Sequence, residues 1–279
     1  MFCDLHTHSI FSDGTYTPEE LIDAAINIGL SAIALTDHNT VDGLPNFISA
    51  SVGKNIDIVL GTEFSVDYDG KELHMLALFI KPQYFSQITE LMNAVIIRKE
   101  QSYIDLIDAL SSVGINLDYN EIKSLTPSGK INRAHIASAM MQKGYVSSII
   151  EAFQTYLSKT GGYYKEAERI NVWEMLNFIN SIGAVSVLAH PFLNLREDEL
   201  ISFLTKAKEF RLAGMECYYP LYDDLTTEKS LKIADRFNIL PSGGSDFHGL
   251  RKPDINLGVG KGNLKIPYEW FLALKEKSN

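Results

Sequence analysis

Short, mostly apolar runs alternate with longer amphipathic stretches in the first eighty residues of this chain. Residues 2–5, 32–35 and 56–60 have the length and composition of buried strands. Between the first two runs, Thr17-Pro18-Glu19-Glu20 predicts a helix start, with an N-cap, a proline in the first turn and acidic residues that suit the helix dipole. This helix should end near Gly29. A strand followed by a helix is the recurring unit, and it favours a parallel β/α fold.

The same alternation continues and returns in the last third of the chain. We expect further strands at residues 72–79, 184–188, 214–218 and 239–242, and helices at residues 41–50, 171–181 and 227–237.

The segment between residues 82 and 165 interrupts the alternation. Its apolar periodicity predicts helices at residues 88–113, 132–142 and 148–158, with no strand candidate among them. We therefore expect a β/α domain whose first part is residues 1–81 and whose second part is residues 166–279, with residues 82–165 inserted as a helical segment.

Composition and charge exclude several classes of protein. A chain of 279 residues can bury a full core as one barrel or as two domains. The net charge of −10 argues against a generic nucleic-acid surface. No run approaches the roughly 18 apolar residues of a membrane span. The first residues already carry Asp4, His6 and His8 instead of a signal segment, and Cys3 and Cys217 lie far apart, so we expect a cytoplasmic protein with two buried thiols.

Six of the seven histidines stand in short motifs that look like strand ends. Side chains alternate along a strand, so His6 and His8 face the same side and can bind one cation together, and Asp246 with His248 repeats this geometry. Functional residues of a β/α barrel collect at the carboxyl ends of its strands. The motifs are Asp4-Leu5-His6-Thr7-His8, Thr36-Asp37-His38, Gly61-Thr62-Glu63, Leu73-His74-Met75, Ala189-His190-Pro191 and Ser245-Asp246-Phe247-His248.

A single histidine is more often a core or surface residue than a ligand, but six in such motifs indicate a metal site. Imidazoles mixed with carboxylates favour zinc, manganese or iron over magnesium. Together with Asp13, the motifs give nine candidate ligands, which is too many for one tetrahedral site and implies at least two ions. Clustered cations can polarise a phosphate, generate hydroxide and stabilise a leaving oxygen, so the pattern predicts a phosphoester hydrolase.

Taken together, these motifs and Ser12-Asp13-Gly14 resemble the PHP (polymerase and histidinol phosphatase) domain along the whole chain. The resemblance implies a distorted (β/α)7 TIM-like barrel with a small inserted helical domain and a centre of three divalent ions, manganese, zinc or iron. It implies catalytic roles for Glu63, Asp246 and His190, and a supporting role outside the ligand set for Asp37. By analogy, one ion is held by His6, His8, Glu63 and Asp246. A second ion is held by Glu63, His74 and His190, so Glu63 bridges the first two ions. A third ion is held by Asp13, His38 and His248.

The insertion resembles the nucleotide-processing branch of this family, in its segment Asn132-Arg133-Ala134-His135-Ile136-Ala137. Ala134 stands where that branch usually has proline. The guanidinium of Arg133 suits a pair of phosphate oxygens, and His135 would lie in a first helical turn, where free amides favour anions. Because residues two apart on a helix face differently, joint use of both side chains requires an irregular helix start. The resemblance thus implies that residues 82–165 form a substrate cap.

We therefore expect a metal-dependent phosphoesterase that uses a metal-activated hydroxide on nucleotides. Its substrate would be a 3′,5′-nucleoside bisphosphate or the 5′ end of a short RNA, and it would bind neither long duplex DNA nor a membrane. One alternative is a histidinol-phosphate phosphatase, which the insertion with Arg133 and His135 disfavours. The other is a metal-binding module without activity, which the complete set of candidate ligands disfavours.

Overall fold

The computed structural model describes residues 1–125, 131–158, 161–165 and 167–278. The chain divides into two compact units. The first, Met1–Met92 with Ile170–Asn279, is called the barrel unit here, and the second, Asn93–Arg169, the helical unit. One division point falls inside the long helix Phe85–Ser111, so this helix belongs partly to each unit.

Strands and helices alternate through most of the barrel unit. Its strands are β1 (Phe2–Asp4), β2 (Ala32–Leu35), β3 (Asp57–Leu60), β4 (Thr62–Tyr68), β5 (Lys71–Leu78), β6 (Ile170–Asn171), β7 (Val185–Leu188), β8 (Gly214–Tyr218), β9 (Leu240–Gly243) and β10 (Ile266–Pro267). Its helices are α1 (Pro18–Asn27), α2 (Leu44–Ser51), the start of α3 (Phe85–Ser111), α7 (Val172–Ser181), α8 (Glu197–Ala207), α9 (Asp224–Phe237) and α10 (Tyr268–Lys275). Helix α1 begins as predicted, with Thr17 in a capping box and Pro18 in the first turn.

The strands form two sheets that backbone hydrogen bonds join at two places. One sheet has the order β10-β1-β2-β3 and the other β6-β4-β5-β7-β8-β9. At one junction the amide of Leu5 donates to the carbonyl of Gly243 at 3.3 Å, and at the other the amide of Asn39 donates to the carbonyl of Glu63 at 2.9 Å. If β3 and β4 are counted as two halves of one broken strand, the two sheets form a closed ring. Its order is β1, β2, β3–β4, β5, β7, β8 and β9. The fold is the distorted TIM-like barrel that the sequence predicts.

One hairpin departs from the parallel alternation. Strand β4, which the apolar pattern does not predict, pairs with β5 in antiparallel register from Thr62 opposite Ala77 to Tyr68 opposite Lys71. The turn residues Asp69 and Gly70 both have positive φ, 49° and 80°, which is the geometry of a two-residue Asp-Gly hairpin. Strand β5 therefore runs against its neighbours, and the expectation of a purely parallel sheet is wrong here.

The barrel interior is filled by small and branched side chains. Leu5, Val59, Leu76 and Val187 belong to one buried cluster that also includes Phe271 of α10. The two cysteines are buried free thiols, and burial raises the pKa of Cys217 to about 12. Among the described residues, no helix combines the length and the apolarity that a membrane crossing requires.

The helical unit has a core of its own. Beyond the end of α3 it contains α4 (Tyr119–Ser124), α5 (Arg133–Gln142), α6 (Ile149–Ala152) and a π-helical turn at Phe153–Leu157. Their buried side chains form one apolar cluster with those of α3. The described residues between 82 and 165 contain no strand. That the segment caps a substrate stays a prediction.

Candidate metal centre

Two histidines enter the barrel from the carboxyl end of β1. His6 and His8 are two residues apart in extended chain, and both rings are fully buried in the same cluster, with their Nε2 atoms 3.1 Å apart. Thr7 between them points away, and its hydroxyl donates to the carbonyl of Ala34 at 2.6 Å. The period-2 geometry of a strand is therefore what brings the two imidazoles together.

Glu63 lies at the centre of the cluster and is fully buried. Its Oε1 lies 2.7 Å from Nδ1 of His74 and 3.0 Å from Nε2 of His190. Its Oε2 faces a second set of imidazole nitrogens, which belong to His6 at 3.1 Å, His8 at 3.2 Å and His38 at 3.0 Å. One carboxylate thus separates two groups of nitrogens.

Asp13 forms the outer edge of the cluster. Its Oδ1 lies 3.2 Å from Nε2 of His248, 3.8 Å from Nε2 of His38 and 3.9 Å from Nδ1 of His8. The loop that carries Asp13 is tied down by Asp37, which accepts hydrogen bonds from the hydroxyls of Ser9, at 2.6 Å, and Ser12, at 2.5 Å. The side chain of Asp13 is nevertheless 43% exposed.

Asp246 closes the cluster from the loop after β9. Its Oδ1 lies 3.2 Å from Nε2 of His8, while its Oδ2 accepts from the hydroxyl of Tyr219 at 2.8 Å and pairs with Nζ of Lys252 at 2.6 Å. The backbone of Asp246 has φ of 52°, a conformation unusual for a residue with a side chain. The amide of Asp246 donates to the carbonyl of His6 at 2.8 Å, which joins this loop to β1.

Gly244 permits this close approach of the two chain segments. A Cβ atom at this position would lie 2.1 Å from Cβ of His6 and 2.6 Å from its backbone nitrogen. Any larger residue would therefore push the loop that carries Asp246 away from His6.

The structure brings all nine candidate ligands into one cluster at the rim of the barrel unit. Their atoms fall into compact groups that could each hold a cation: His6, His8, Glu63 and Asp246; His38, Glu63 and His74; and His8, Asp13, His38 and His248. His190 is grouped with His6 and with Glu216, a residue the sequence does not single out.

The expectation that every motif ends a strand is wrong for His74, which lies within β5. Glu63 follows the end of β3 at Leu60 as expected, and it is also the second residue of β4. Because β5 is antiparallel, its first half reaches the same rim as the carboxyl ends of the parallel strands, and His74 therefore still faces Glu63.

Residues outside the predicted set also contact the ligands. Glu216 contacts His6 and His190, and Tyr219 and Lys252 contact Asp246. The only charged side chain in the apolar strand Gly214-Met-Glu-Cys-Tyr218 is Glu216, and this anomaly could have revealed it. An exposed lysine such as Lys252 gives no comparable signal.

Burial and the carboxylates oppose each other at the histidines. Burial acts to lower the pKa of His6, but Glu63 and Glu216 outweigh it and raise that pKa well above its usual value. At His74 burial is likewise outweighed by Glu63, and the pKa rises to about 10. At His38 burial prevails and lowers the pKa to about 4, so this imidazole is neutral at pH 7.

The carboxylates stay ionised although they are largely enclosed. Burial acts to raise the pKa of Glu63, but the imidazoles around it, His6 foremost, hold it well below its usual range. At Asp246 the effect of burial is outweighed in the same way, first by His8. Lys252 balances part of this negative charge at Asp246, and protons on the imidazoles or bound cations balance the rest, so metal binding here should release protons.

The donor set fits divalent metal ions. Three buried atoms of the cluster have no hydrogen-bond partner in the described structure: Nδ1 of His8, Nδ1 of His190 and Oε2 of Glu63. Two nitrogens bound to one zinc ion at about 2.0–2.1 Å lie roughly 3.3 Å apart in tetrahedral geometry. The Nε2 atoms of His6 and His8 are 3.1 Å apart and can share at most one proton, so a cation satisfies this pair better.

Arg133 and His135 lie in the first turn of α5. Nη1 of Arg133 donates to the carbonyl of Leu157 at 3.1 Å, and its guanidinium stacks 4.5 Å from the ring centre of Tyr164. Nδ1 of His135 accepts the amide of Asn132 at 3.1 Å in a regular capping box. The irregular helix start that joint use of the two side chains requires is therefore not found, and their substrate-binding role stays a prediction.

The rim of this β/α barrel gathers six imidazoles and three carboxylates, a donor set that suits divalent metal ions. The family profile of the PHP domain matches residues 4–177. The chain belongs to the PHP domain family.

Curated relatives cover most of the chain. This chain is 28% identical over 246 residues to a 5′-3′ exoribonuclease of Haemophilus influenzae. The match covers 88% of this chain and 89% of that protein. Identity is 25% with a phosphoribosyl 1,2-cyclic phosphate 1,2-diphosphodiesterase of Eggerthella lenta, over 93% of this chain and 99% of that protein. Identity is 28% with a 3′,5′-nucleoside bisphosphate phosphatase of Chromobacterium violaceum, over 88% of this chain and 86% of that protein.

A solved structure resembles the whole fold. A Bifidobacterium adolescentis protein described as a metal-dependent phosphoesterase superposes with a TM-score of 0.73 at 25% identity. The match covers 99% of this chain and 96% of that one.

Proposed function

We propose that this protein is a metal-dependent phosphoesterase that hydrolyses phosphate esters of nucleotides. The proposal is carried by the position of Glu63. Its two carboxylate oxygens lie 2.7–3.2 Å from separate groups of imidazole nitrogens. A carboxylate in this position can bridge two cations, and paired cations are a recurrent device for phosphoester hydrolysis. Family membership and the names of the relatives point to the same reaction class.

The contacts of Glu63 support the division of the ligands that the family resemblance implies. We assign the first ion to His6, His8, Glu63 and Asp246, the second to Glu63, His74 and His190, and the third to Asp13, His38 and His248. The mixture of imidazole and carboxylate suits manganese, zinc or iron. When bound, such ions neutralise the charge of a phosphate and lower the pKa of a bound water.

The side chains around these ligands orient them and contact the substrate. Tyr219 and Lys252 hold Oδ2 of Asp246, so Oδ1 stays directed at the imidazole nitrogens. Lys252 is 40% exposed at the mouth of the cluster, and its ammonium group can approach a phosphate oxygen without leaving Asp246. Glu63, Asp246 and His190 would be closest to the reacting phosphate.

The substrate would be a 3′,5′-nucleoside bisphosphate or the 5′ end of a short RNA. An acidic chain with a net charge of −10 repels long polyanions, but a cation cluster attracts a single phosphate group. In the proposed arrangement Arg133 and the start of α5 bind a second phosphate, and residues 82–165 act as a substrate cap. Long duplex DNA is not expected to bind.

A panel assay tests the proposal. Protein reconstituted with manganese is supplied with adenosine 3′,5′-bisphosphate, a short 5′-phosphorylated RNA, a phosphoribosyl 1,2-cyclic phosphate and histidinol phosphate, and kcat/KM is measured for each. We expect the bisphosphate or the RNA to give the highest value. The cyclic phosphate is included because the Eggerthella lenta relative is named for it.

Each contrary result removes a different part of the proposal. The highest kcat/KM with histidinol phosphate would overturn the nucleotide assignment and leave the phosphoesterase class. Hydrolysis of none of the four esters by protein that binds metal would favour a metal-binding module without activity.

A further inference from the structure

Glu216 is a buried carboxylate for which the proposed reaction has no direct use. It lies in β8 between Met215 and Cys217, and all three residues are fully buried. A carboxylate in such a place is costly unless hydrogen bonds compensate for the lost water. Its two oxygens make such bonds, and both lead to candidate metal ligands.

The first bond reaches the ring of His6. Oε1 of Glu216 lies 2.9 Å from Nδ1 of His6. Because an ionised carboxylate only accepts hydrogen bonds, Nδ1 of His6 must carry the proton. Nε2 is then the nitrogen that binds a cation once its own proton is released, and it faces Glu63 at 3.1 Å and His8 at 3.1 Å. Glu216 thereby selects the tautomer that can bind a cation at the cluster.

The second bond reaches the backbone of His190. The amide of His190 donates to Oε2 of Glu216 at 2.7 Å. His190 has φ of 27° and ψ of 55°, in the left-handed region that is costly for a residue with a side chain. The same turn aims Nε2 of His190 at Oε1 of Glu63, 3.0 Å away. The hydrogen bond therefore stabilises the conformation in which His190 reaches the centre.

We infer that Glu216 is a positioning residue that fixes two metal ligands from two different strands. This inference rests on the proposed function, since it takes His6 and His190 as ligands. His6, His190 and Glu216 also form a group that could itself hold an ion. Both oxygens of Glu216 are already engaged by N–H donors, so positioning accounts for the contacts better than direct ligation.

The test is metal binding, measured apart from catalysis. Metal-stripped wild type and Glu216→Gln are titrated with Mn²⁺, and free Mn²⁺ is followed by electron paramagnetic resonance. The glutamine keeps the size of the side chain but can accept from only one of the two N–H groups. We expect the same number of ions at saturation with a roughly 10- to 100-fold larger Kd for at least one of them. Cys217→Ala, on the same strand, is the matched control and should bind like wild type.

A second readout separates positioning from general stability. Metal raises the Tm of a protein that binds it when folded, by an amount that depends on Kd. A merely structural role would lower Tm equally with and without Mn²⁺, whereas positioning predicts a smaller metal-induced rise in Glu216→Gln. If this variant does not fold, Glu216→Asp, which withdraws both oxygens by one methylene, is measured in its place with the same expectation.

The possible failures are distinguishable. Wild-type affinity in Glu216→Gln would overturn the positioning role, and so would an ion missing at saturation, which would make Glu216 a ligand. Wild-type protein that binds no metal would instead refute the proposed function, on which this inference rests.

Discussion

The inner and outer sides of the metal centre differ in how completely the protein encloses them. On the inner side the side chains of His6, His8 and Glu63 are fully buried and fixed by neighbours on several strands. On the outer side the side chain of Asp13 is 43% exposed and that of His38 is 26% exposed. Enclosed ligands are held in place before an ion arrives, whereas exposed ones must be ordered by it. We therefore expect a tightly held inner ion and a readily exchanged outer ion.

The largest effect should come from Glu63→Ala. Among the described residues, Glu63 alone faces both groups of nitrogens that are proposed to hold the first and second ions. Loss of a residue that only hydrogen-bonds to a metal ligand costs about 10- to 100-fold in metal affinity or activity. Loss of the bridging carboxylate itself should therefore lower kcat/KM by more than about 100-fold. It should also remove more than one ion per chain, measured by elemental analysis. The exposed Glu209→Ala is the control. Metal content like that of wild type would show that Glu63 is not a bridge.

Arg133→Ala should show whether substrate binding can be separated from the metal centre. If Arg133 holds a phosphate, the loss of a charged hydrogen bond of roughly 1.5–3 kcal/mol should lower kcat/KM about 10- to 150-fold, with metal content unchanged. Because Arg133 also stacks on Tyr164, thermal unfolding is measured alongside. Arg133→Lys keeps the charge without the planar fork, and it should recover only part of the activity. Unchanged kinetics would leave the helical unit without a role in binding.

Asp13→Asn addresses the outer side alone. We expect one ion to bind about 10- to 100-fold more weakly, with the other ions retained, because Asp13 lies close to His248 and His38 but not to Glu63 within the described contacts. Stepwise removal by a chelator, followed by metal analysis, should take the same ion first from wild type. Simultaneous loss of all ions in either experiment would show that the two sides are not independent.

The smallest effect is expected from Tyr219→Phe, which removes one of the two hydrogen bonds to Oδ2 of Asp246. Lys252 remains to hold that oxygen. One hydrogen bond to a charged group at the low end of its range, about 1.5 kcal/mol, corresponds to a roughly tenfold loss of affinity for the inner ion. A loss as large as that of Glu63→Ala would mean that Tyr219 contacts the substrate or an ion directly.

The sequence predicts the residues of the centre better than the contacts that support them. Alternation along a strand is a local property, so the common face of His6 and His8 could be predicted and is observed. The role of Glu216 depends on β8 lying close to ligands that come from β1 and from the end of β7, and this is a property of the closed barrel. Local sequence patterns therefore do not identify Glu216 as a residue that supports the ligands, although a lone charge in an apolar strand is unusual.

The hairpin of β4 and β5 shows a second limit of prediction. Thr62-Glu63-Phe64-Ser65-Val66 alternates as a half-buried strand should, and Asp69-Gly70 is a strong turn signal. These local signals favour a hairpin, whereas the recurring strand-then-helix unit favours parallel strands joined by helices. The positions of His74 and Glu63 follow from this hairpin, whereas their roles in a metal centre follow from the family resemblance.

The bonds between Asp4 and the loop before Asp246 determine when the centre can form during synthesis. Asp4 accepts the amide of Ser245 at 2.8 Å across 241 residues of chain. A ribosome that has polymerised the first 200 residues has incorporated His6, His8, Glu63 and His190, but not Asp246 or His248. Contacts between such distant residues close late in folding. A nascent or truncated chain therefore exposes a partial set of ligands, and the cell must wait for nearly the whole polypeptide before a complete centre can capture its ions.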